Sequence, residues 1–526
     1  MQQLRNCRLL TACCSLSSCL VAWGAAPALG PYDGARAKSE ALPKGALVRI
    51  RTALPGHEAA ITSIAFSPDG GTLASSSFDE ALCLWDPLTG KELRRITGHP
   101  KLCSAAFSPD GSTLASAGWD GTVRFWHTAS GRAGRVLQAN PDRILSIAFC
   151  PDGKTVAAAG PDATLSLWHV ATGKRMGVLH GRVNTNYALG FSPDGKWLAS
   201  SSFHDQAVQL CAVQNGSTRR RLGDTDTSVN CFAFSPDGKS LVTGGSDGQL
   251  LLWEVASAGV RLRFKTHAST VQCVAFAPDG QTLASGHDDG LICVWDTKSA
   301  KQRCRLAGHR ERVRAVAFAP AARLLASGSE DMNLVVWDAG QWHAEKPAVP
   351  GPLAGKNMDA LWDDLASDNA ARAYQAVLSL AAAAGQSVPL FAEKMRHAGD
   401  LQARIARLVS DLDSDRFSVR QKASSDLEAL GRRAEAALRG ELSGHASPEV
   451  HRRIERLLNN LPPVDQFVLT PEQARLVRVV EVLERAGTSA AREMLVSLAK
   501  ASPQKSLREE VQAALERLAK RTGMKH

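Results

Sequence analysis

Several features that define membrane proteins and nucleotide-dependent enzymes are missing from this chain of 526 residues. After the first thirty residues, no segment approaches the roughly twenty consecutive apolar residues that a membrane-spanning helix needs. No glycine-rich phosphate loop and no dinucleotide-binding fingerprint occurs. From Met358 onward there is no cysteine, and Ala, Leu, Arg and Glu dominate. We therefore expect no membrane span, no nucleotide cofactor and a compositionally distinct C-terminal domain.

What the sequence does contain is a unit of about forty residues that recurs seven times. A phenylalanine opens a turn, usually followed by Pro-Asp-Gly, at Phe66, Phe107, Phe149, Phe191, Phe234, Phe276 and Phe318. An aspartate follows at Asp79, Asp120, Asp162, Asp205, Asp247, Asp289 and Asp331. Each unit then reaches Trp85, Trp126, Trp168, Cys211, Trp253, Trp295 or Trp337. This repetition indicates a repeat architecture.

Each unit has the pattern of four short antiparallel strands. In the first unit, apolar residues alternate from Ile61 to Phe66, and Pro68-Asp69-Gly70 then reverses the chain. Four such strands cannot bury both faces by themselves, so neighbouring copies must stack, and seven copies close a ring. The sequence predicts an all-β, seven-bladed propeller.

These residues resemble the WD40-repeat family of β-propellers, and the resemblance covers residues 46–340. The family joins His, Ser/Thr, Asp and Trp of a blade in a hydrogen-bonded tetrad, because a buried carboxylate needs donors. The resemblance implies four complete tetrads: His57, Ser75, Asp79 and Trp85; His99, Ser116, Asp120 and Trp126; His267, Ser285, Asp289 and Trp295; and His309, Ser327, Asp331 and Trp337. Since these histidines are committed to aspartates, we expect no metal ligation.

The middle blades depart from this pattern. The histidine position is taken by Asn140, Arg182 and Thr225 in blades three to five, while Ala158 replaces a serine and Cys211 a tryptophan. We expect these blades to form with less rigidity.

The ends of the ring are also visible in the sequence. After Trp337 the chain enters a Pro/Gly-rich segment without a fourth strand, whereas Leu47 to Arg51 matches the fourth-strand pattern of other blades. Residues 46–52 are therefore predicted to complete the last blade and to remove the exposed edges.

The first residues have the pattern of an export signal. Arg5 and Arg8 give a basic start, an apolar stretch follows, and Ala26-Pro27-Ala28 fits a cleavage site. A lipid anchor at Cys19 is an alternative, but the apolar stretch continues beyond that cysteine. Cleavage near Ala28 is favoured, with a periplasmic or cell-envelope location.

The C-terminal region has dense helix signals. Ser447-Pro448-Glu449, Thr470-Pro471-Glu472-Gln473 and Ser506-Leu507-Arg508-Glu509 each have the pattern of a helix start. The run Leu408 to Leu442 resembles a HEAT-type helical pair, and the whole tail resembles that of exported WD40 proteins of planctomycete-type bacteria. A stacked helical repeat is predicted, with a single bundle of four to six helices as the alternative. The predicted organisation is a signal (1–28), a flexible segment (29–45), the propeller (46–340), a Pro/Gly linker (341–357) and an all-α, HEAT-like domain (358–526).

Charge gives little support to nucleic-acid binding. The net charge is +10, but residues 351–526 hold 26 Lys and Arg against 23 Asp and Glu. Arg261 and Arg263 fall on a predicted outer strand, where exposed charge discourages edge pairing. We interpret them as part of a solvated rim and expect no nucleic-acid partner.

Loops at one end of the ring are the candidate binding surface, because rigid scaffolds commonly bind through loops. Phe78 and Trp119 precede turn aspartates of neighbouring blades, and Lys101 lies in the second of these blades. An aromatic pair beside a cation is typical of a binding hot spot. Arg143 and Arg312 are predicted to steer an acidic partner.

The sequence thus predicts an exported protein–protein interaction scaffold without catalytic residues. The string Gly244-Gly245-Ser246-Asp247-Gly248 imitates a hydrolase nucleophile but falls in a turn between strands. One alternative is a propeller enzyme or small-ligand binder that uses the central channel. Another is a cytoplasmic regulatory WD40 protein, if the signal is not cleaved.

Overall fold

The computed structural model describes residues 42–50, 57–161, 164–180, 186–202, 206–214, 219–223, 228–321, 323–342, 358–430, 434–442, 447–459, 469–502 and 505–522. Residues 43–526 belong to one compact unit. The predicted export signal, the segment 29–41 and residues 343–357 of the predicted linker lie outside the described residues.

The described residues form seven four-stranded antiparallel sheets. Blades one and two contain β2 (Ile61–Phe66), β3 (Leu73–Ser77), β4 (Leu82–Trp85) and β5 (Glu92–Ile96), then β6 (Leu102–Phe107), β7 (Thr113–Gly118), β8 (Thr122–His127) and β9 (Ala133–Gln138). Blades three and four contain β10 (Ser146–Phe149), β11 (Thr155–Ala159), β12 (Thr164–His169) and β13 (Arg175–His180), then β14 (Asn186–Phe191), β15 (Trp197–Ser202), β16 (Val208–Ala212) and β17 (Arg219–Leu222). Blades five and six contain β18 (Val229–Phe234), β19 (Ser240–Gly245), β20 (Leu250–Glu254) and β21 (Val260–Phe264), then β22 (Val271–Phe276), β23 (Thr282–His287), β24 (Leu291–Asp296) and β25 (Gln302–Ala307). Blade seven contains β26 (Val313–Phe318), β27 (Leu324–Ser329), β28 (Leu334–Asp338) and β1 (Ala46–Ile50).

Blade seven joins the two ends of the propeller. β1 pairs antiparallel with β28, with Val48 opposite Val336 and Ile50 opposite Leu334. The first described strand thereby supplies the outer strand of the last blade, so backbone hydrogen bonds join the two ends of the propeller. The predicted seven-bladed propeller is confirmed.

The Pro-Asp-Gly turns explain why the strands reverse where they do. In the first unit, the side chain of Asp69 accepts a hydrogen bond from the backbone N–H of Gly71 at 3.0 Å. Gly70 has a φ of +73°, in the left-handed region that glycine adopts without strain.

The turns of each blade lie at two opposite ends of its strands. The turns between its second and third strands lie at one end, together with the loop that leads to the next blade. This end, exemplified by the turn Phe78–Glu80, is the tetrad end. The turns between the first and second strands, and between the third and fourth, lie at the opposite end because the strands are antiparallel. This second end, exemplified by Ser67–Thr72, is the tail end.

The described part of the tail contains nine α-helices. They are α1 (Met358–Asp364), α2 (Ala370–Ala382), α3 (Ala384–Asp411), α4 (Phe417–Leu430), α5 (Glu435–Leu442), α6 (Pro448–Asn459), α7 (Pro471–Ala486), α8 (Ser489–Ala501) and α9 (Lys505–Thr522). Thr470 caps α7 in a reciprocal box with Gln473, and Gly487 ends it in the left-handed conformation.

These helices bury their apolar residues in two clusters. One unites α1, α2, α7, α8 and α9 with the first half of α3, around residues such as Phe391 and Leu483. The other unites the second half of α3 with α4, α5 and α6, around residues such as Leu412 and Ile454. The 28-residue helix α3 contributes to both clusters, and the region after the propeller is helical, as predicted.

Among the described residues, no single helix has the length and hydropathy to cross a membrane. The bent pair Ala370–Ala382 and Ala384–Arg396, which meet at 112°, passes that test only when taken together.

Candidate protein-binding faces

Blade one shows how the tetrad end is held. The His57 Nδ1–H donates to Asp79 Oδ2 at 2.9 Å, because a carboxylate can only accept. His57 Nε2 then accepts from the hydroxyl of Ser75 at 2.6 Å. The same Ser75 oxygen accepts from the indole N–H of Trp85 at 2.8 Å. The turn aspartate is thus connected to the blade core.

Blade seven repeats this geometry. His309 Nδ1 lies 3.1 Å from Asp331 Oδ2, His309 Nε2 lies 2.7 Å from Ser327 Oγ, and the Trp337 N–H donates to the same oxygen at 2.9 Å. Burial opposes ionisation of Asp331, but hydrogen bonds from His309 and from backbone N–H groups outweigh it and hold the pKa at about 2.

In blade two the imidazole is turned over. His99 Nδ1 lies 2.8 Å from Ser116 Oγ, and His99 Nε2 lies 3.3 Å from Asp120. Trp126 donates to Ser116 at 2.8 Å, as in the other blades. Arg124 adds an ion pair with Asp120 at 2.7 Å. Burial lowers the pKa of His99 to about 4, so the ring is neutral at pH 7.

Blade six departs from the expected tetrad. His267 Nε2 lies 2.9 Å from Asp289 Oδ2, and Trp295 donates to Ser285 at 2.9 Å. Ser285, however, bonds with Nε2 of His287 at 2.9 Å, not with His267. The prediction of a His267–Ser285 contact is therefore wrong. The reason is that a second imidazole, two residues beyond Ser285 on the same strand, competes for the hydroxyl.

The middle blades keep only parts of the network. Trp253 of blade five donates to Thr243 at 2.9 Å. In blade three, Ala158 has no hydroxyl to offer, and Trp168 Nε1 is buried with no hydrogen-bond partner in the described part of the chain. The positions Asp162, Arg182, Asp205 and Thr225 lie outside the described residues.

The predicted binding residues fall into two groups at the tetrad end. Lys101 Nζ lies 4.4 Å from the centre of the Trp119 ring, and Arg143 Cζ lies 5.1 Å from it, so two cations flank one indole. Phe78 is half-buried in the equivalent turn of blade one. Arg312, by contrast, pairs with Asp288 of blade six at 3.3 Å. The role of Arg312 in steering an acidic partner stays a prediction.

The tail end of blade five carries a buried ionic network that the sequence did not reveal. Arg261 bonds Glu254 at 3.0 Å and Glu481 of α7 at 2.7 Å, and Arg478 of α7 bonds Glu254 at 2.6 Å. The side chain of Arg261 is only 2% exposed. The interpretation of Arg261 as an exposed rim charge is wrong, because the tail covers it.

The network continues along α7 and α9. Lys239 lies 2.6 Å from Glu484, which also accepts from Arg517 at 2.7 Å. Arg517 and Lys239 both reach Glu510, at 3.0 and 3.6 Å. Across the whole network the cations Lys239, Arg261, Arg478, Arg485 and Arg517 face the anions Asp237, Glu254, Glu481, Glu484 and Glu510.

These charges remain ionised in the interface. Burial alone raises the pKa of Glu254, but the charges of Arg261 and Arg478 outweigh it and lower the pKa to about 2. The pKa of Glu481 is lowered in the same way, against its burial, chiefly by the charge of Arg261. Buried ion pairs of this kind are costly to break one partner at a time.

Helix α2 adds a hydrogen bond and a cation–π contact beside the network. The Tyr374 hydroxyl donates to the carbonyl of Thr297 in blade six at 3.3 Å, and Arg261 Cζ lies 4.9 Å from the Tyr374 ring centre. Gly259 has no side chain where α2 approaches, and an added Cβ would lie 2.6 Å from that of Ala370. In the sequence, Arg478, Glu481 and Glu484 recur every three residues among the apolar residues Val479, Val480, Val482 and Leu483, which marks a charged stripe on α7 but not the blade that it contacts.

Seven four-stranded sheets in a closed ring, several of them with a His–Ser–Asp–Trp hydrogen-bond network, define a seven-bladed β-propeller. The helical tail packs against it. The profile of the WD domain, G-beta repeat family matches residues 48–86, 90–127, 131–169, 173–210, 216–254, 260–296 and 300–338. The chain belongs to this family. Its members are typically protein-interaction scaffolds.

The similarity to a curated protein covers a short segment. Protein Mut11 of Chlamydomonas reinhardtii is 50% identical over 42 residues, which are 8% of this chain and 11% of that protein. The matched segment has about the length of one repeat, so the similarity is one of repeats.

Proposed function

We propose that this protein is an exported scaffold that binds partner proteins through the tetrad end of blades two and three. The observation that carries the proposal is the Trp119 indole between Lys101 and Arg143. Tryptophan and arginine are the residue types that most often dominate binding energy in protein interfaces.

The position of the tail supports the choice of end. Its contacts with Lys196, Lys239 and Thr297 all lie in turns or strand starts at the tail end of blades four, five and six. That part of the propeller is covered by the chain itself. The tetrad end of blades two and three lies at the opposite end of the strands.

The charges at Trp119 indicate the chemistry of the partner. Lys101 is exposed, and Arg143 has Asp142 at 3.7 Å as its neighbouring acid. The surface therefore combines an aromatic ring with the two cations that flank it. A protein segment that carries carboxylates next to an apolar side chain complements this surface.

We expect Trp119→Ala to weaken partner binding at least tenfold, because a central aromatic anchor contributes about 2 kcal/mol or more. The partner is first captured with the wild-type full-length protein and identified by mass spectrometry. Its dissociation constant is then measured for each variant. Phe78→Ala in the Trp119→Ala background is expected to weaken binding further.

Trp197→Ala is the matched control. Trp197 lies at the tail end of blade four under another arginine, with Arg220 Cζ 5.3 Å from its ring centre. Unchanged binding in Trp197→Ala, with similar thermal stability of both variants, supports the proposal. Equal affinities of Trp119→Ala and wild type would refute it.

Export is the second part of the proposal. It is supported by the basic start, the apolar stretch and the small residues before Leu29, and by the resemblance of the tail to those of exported proteins. N-terminal sequencing of the native protein is expected to give a start near Leu29 in an envelope fraction. An intact Met1 in the cytosolic fraction would contradict export and leave the binding proposal to be judged separately.

A further inference from the structure

Blade six brings together two imidazoles and a thiol near the surface of the tetrad end. One ligand atom from each of His267, His287 and Cys293 lies within 4.8 Å of the others. His267 Nδ1 is 3.9 Å from Cys293 Sγ. In a tetrahedral zinc site, nitrogen and sulfur ligands are about 3.5 Å apart, so small side-chain movements close the gap.

Both histidines have one nitrogen held by a second group, which is the usual arrangement around metal-binding histidines. His267 Nε2 is bonded to the Asp289 carboxylate at 2.9 Å, which leaves its Nδ1 lone pair towards the sulfur. His287 Nδ1 lies 3.3 Å from the carbonyl of Ser269, which leaves Nε2 as the accepting atom. A hydroxyl, that of Ser285, now occupies this acceptor, and it can rotate away.

The cluster is buried except on the side of His267. The side chain of His267 is 19% exposed and that of Asp289 38% exposed, whereas His287 and Cys293 are fully buried. A cation can therefore reach the cluster past His267.

Blade one provides an internal comparison. It has Cys83 at the position of Cys293, but Ser77 stands where blade six has His287. There both nitrogens of His57 are engaged, by Asp79 and Ser75. In blade six, Ser285 bonds to His287 instead of His267. The Nδ1 atom of His267 therefore faces the thiol of Cys293.

We propose that His267, His287 and Cys293 form a binding site for a borderline-soft transition-metal cation, for which Zn²⁺ is the probe. Imidazole and thiolate are the ligands that such ions prefer, whereas Mg²⁺ and Ca²⁺ prefer oxygen. The thiol loses its proton when the ion binds. Asp289 and the Ser269 carbonyl act as positioning groups for the two rings.

The test uses the full-length protein, stripped with a chelator and reloaded with Zn²⁺ or with Co²⁺ as a spectroscopic probe. We expect the wild type to bind one Zn²⁺ more than His287→Ser or Cys293→Ala, or to bind it at least ~100-fold more tightly. The Co²⁺ form is expected to show a thiolate charge-transfer band that both variants lack. Zn²⁺ is expected to raise the melting temperature of the wild type more than that of the variants.

The variants are chosen so that loss of folding does not confuse the result. His287→Ser gives blade six the serine that stands at Ser77 and Ser329 in blades one and seven, and Cys83→Ala is the matched thiol control. Equal circular dichroism spectra and equal melting temperatures in chelator establish that each variant is folded. Equal metal binding by wild type and His287→Ser, or a Co²⁺ spectrum without a thiolate band, would overturn the proposal.

Discussion

At the scale of single residues, the orientation of one imidazole decides how a blade is stabilised. His57 and His309 present Nδ1 to the turn aspartate, whereas His99 and His267 present Nε2. These differences change which groups remain available for other contacts. In blade six, Nδ1 of His267 faces the thiol of Cys293. The other described blades have no such arrangement.

Protonation of His99 gives a prediction at this scale. Burial lowers its pKa from 6.5 to about 4, so the unfolded chain takes up a proton at a higher pH than the folded protein does. The stabilisation is complete above pH 6.5 and is lost as the pH falls to 4, with a maximum of about 3 kcal/mol. His99→Asn, which copies Asn140 of blade three, is expected to lose less stability in this range.

Urea unfolding of both proteins at pH 7 and pH 4.5 measures the effect. The two chains share every other titrating group, so the difference between them reports His99 together with its contact to Asp120. If the free energy of unfolding changed with pH equally in both proteins, protonation of His99 would not contribute to stability.

The spacing of residues identifies the tetrad positions but not their contacts. A fixed interval in the sequence places Ser285 and His267 in the right blade, because strand length sets the register. It cannot show that His287 competes for the same hydroxyl, since that depends on side-chain rotation and burial. The sequence therefore predicted the chemistry of three tetrads and missed that of the fourth.

At the scale of elements, helix α7 has two faces with different roles. Val479, Val482 and Leu483 enter the apolar cluster of the tail. Arg478 and Glu481 point to blade five and pair with its charges. The start of α7 was predictable from the Thr470 box, because capping is local. The docking of α7 on blade five was not predictable, because Arg261 and Glu481 are distant in the chain.

We expect substitutions of Arg261 in the propeller and Glu481 in α7 to have strongly coupled effects on the free energy of unfolding. Arg261→Leu and Glu481→Leu are each expected to cost about 3–5 kcal/mol, because each removes one of the two counter-charges of its buried, ionised partners. The double variant is expected to cost clearly less than the sum. Denaturant unfolding of the four proteins gives the coupling energy.

The pair Lys196–Glu509 is the control for this cycle. It joins blade four to α9 at 3.1 Å, but its side chains are 45% and 44% exposed. Its removal is expected to cost less than about 1 kcal/mol, since water screens exposed pairs. Additive effects at Arg261 and Glu481 would contradict the role of the buried network.

At the scale of the whole molecule, the propeller is closed by a strand from the other end of its sequence. β1 adds a register of four residue pairs to β28, and Val48 packs against the apolar cluster between blades seven and one. Closure was predictable, because a missing fourth strand at one end matched a surplus strand pattern at the other.

Deletion of residues 1–50 is expected to lower the free energy of unfolding by about 3–5 kcal/mol, because each lost backbone hydrogen bond contributes about 1 kcal/mol. Deletion of residues 1–41, which keeps β1, is the control and is expected to have little effect. A synthetic peptide of residues 42–50 is expected to restore stability to the shorter protein. Identical unfolding curves for the two deletions would show that β1 does not hold the ring.

The pairing of β1 with β28 also sets an order of events during synthesis. The ribosome releases β1 before any other strand of the propeller, but its partner β28 emerges only after six blades have been made. The nascent chain must therefore keep its first strand apart from six wrong neighbours until translation reaches residue 338. Ring formation is thus a late step that requires residue 338 to have been made, and a chain stalled before that residue exposes two unpaired strand edges that a chaperone can recognise.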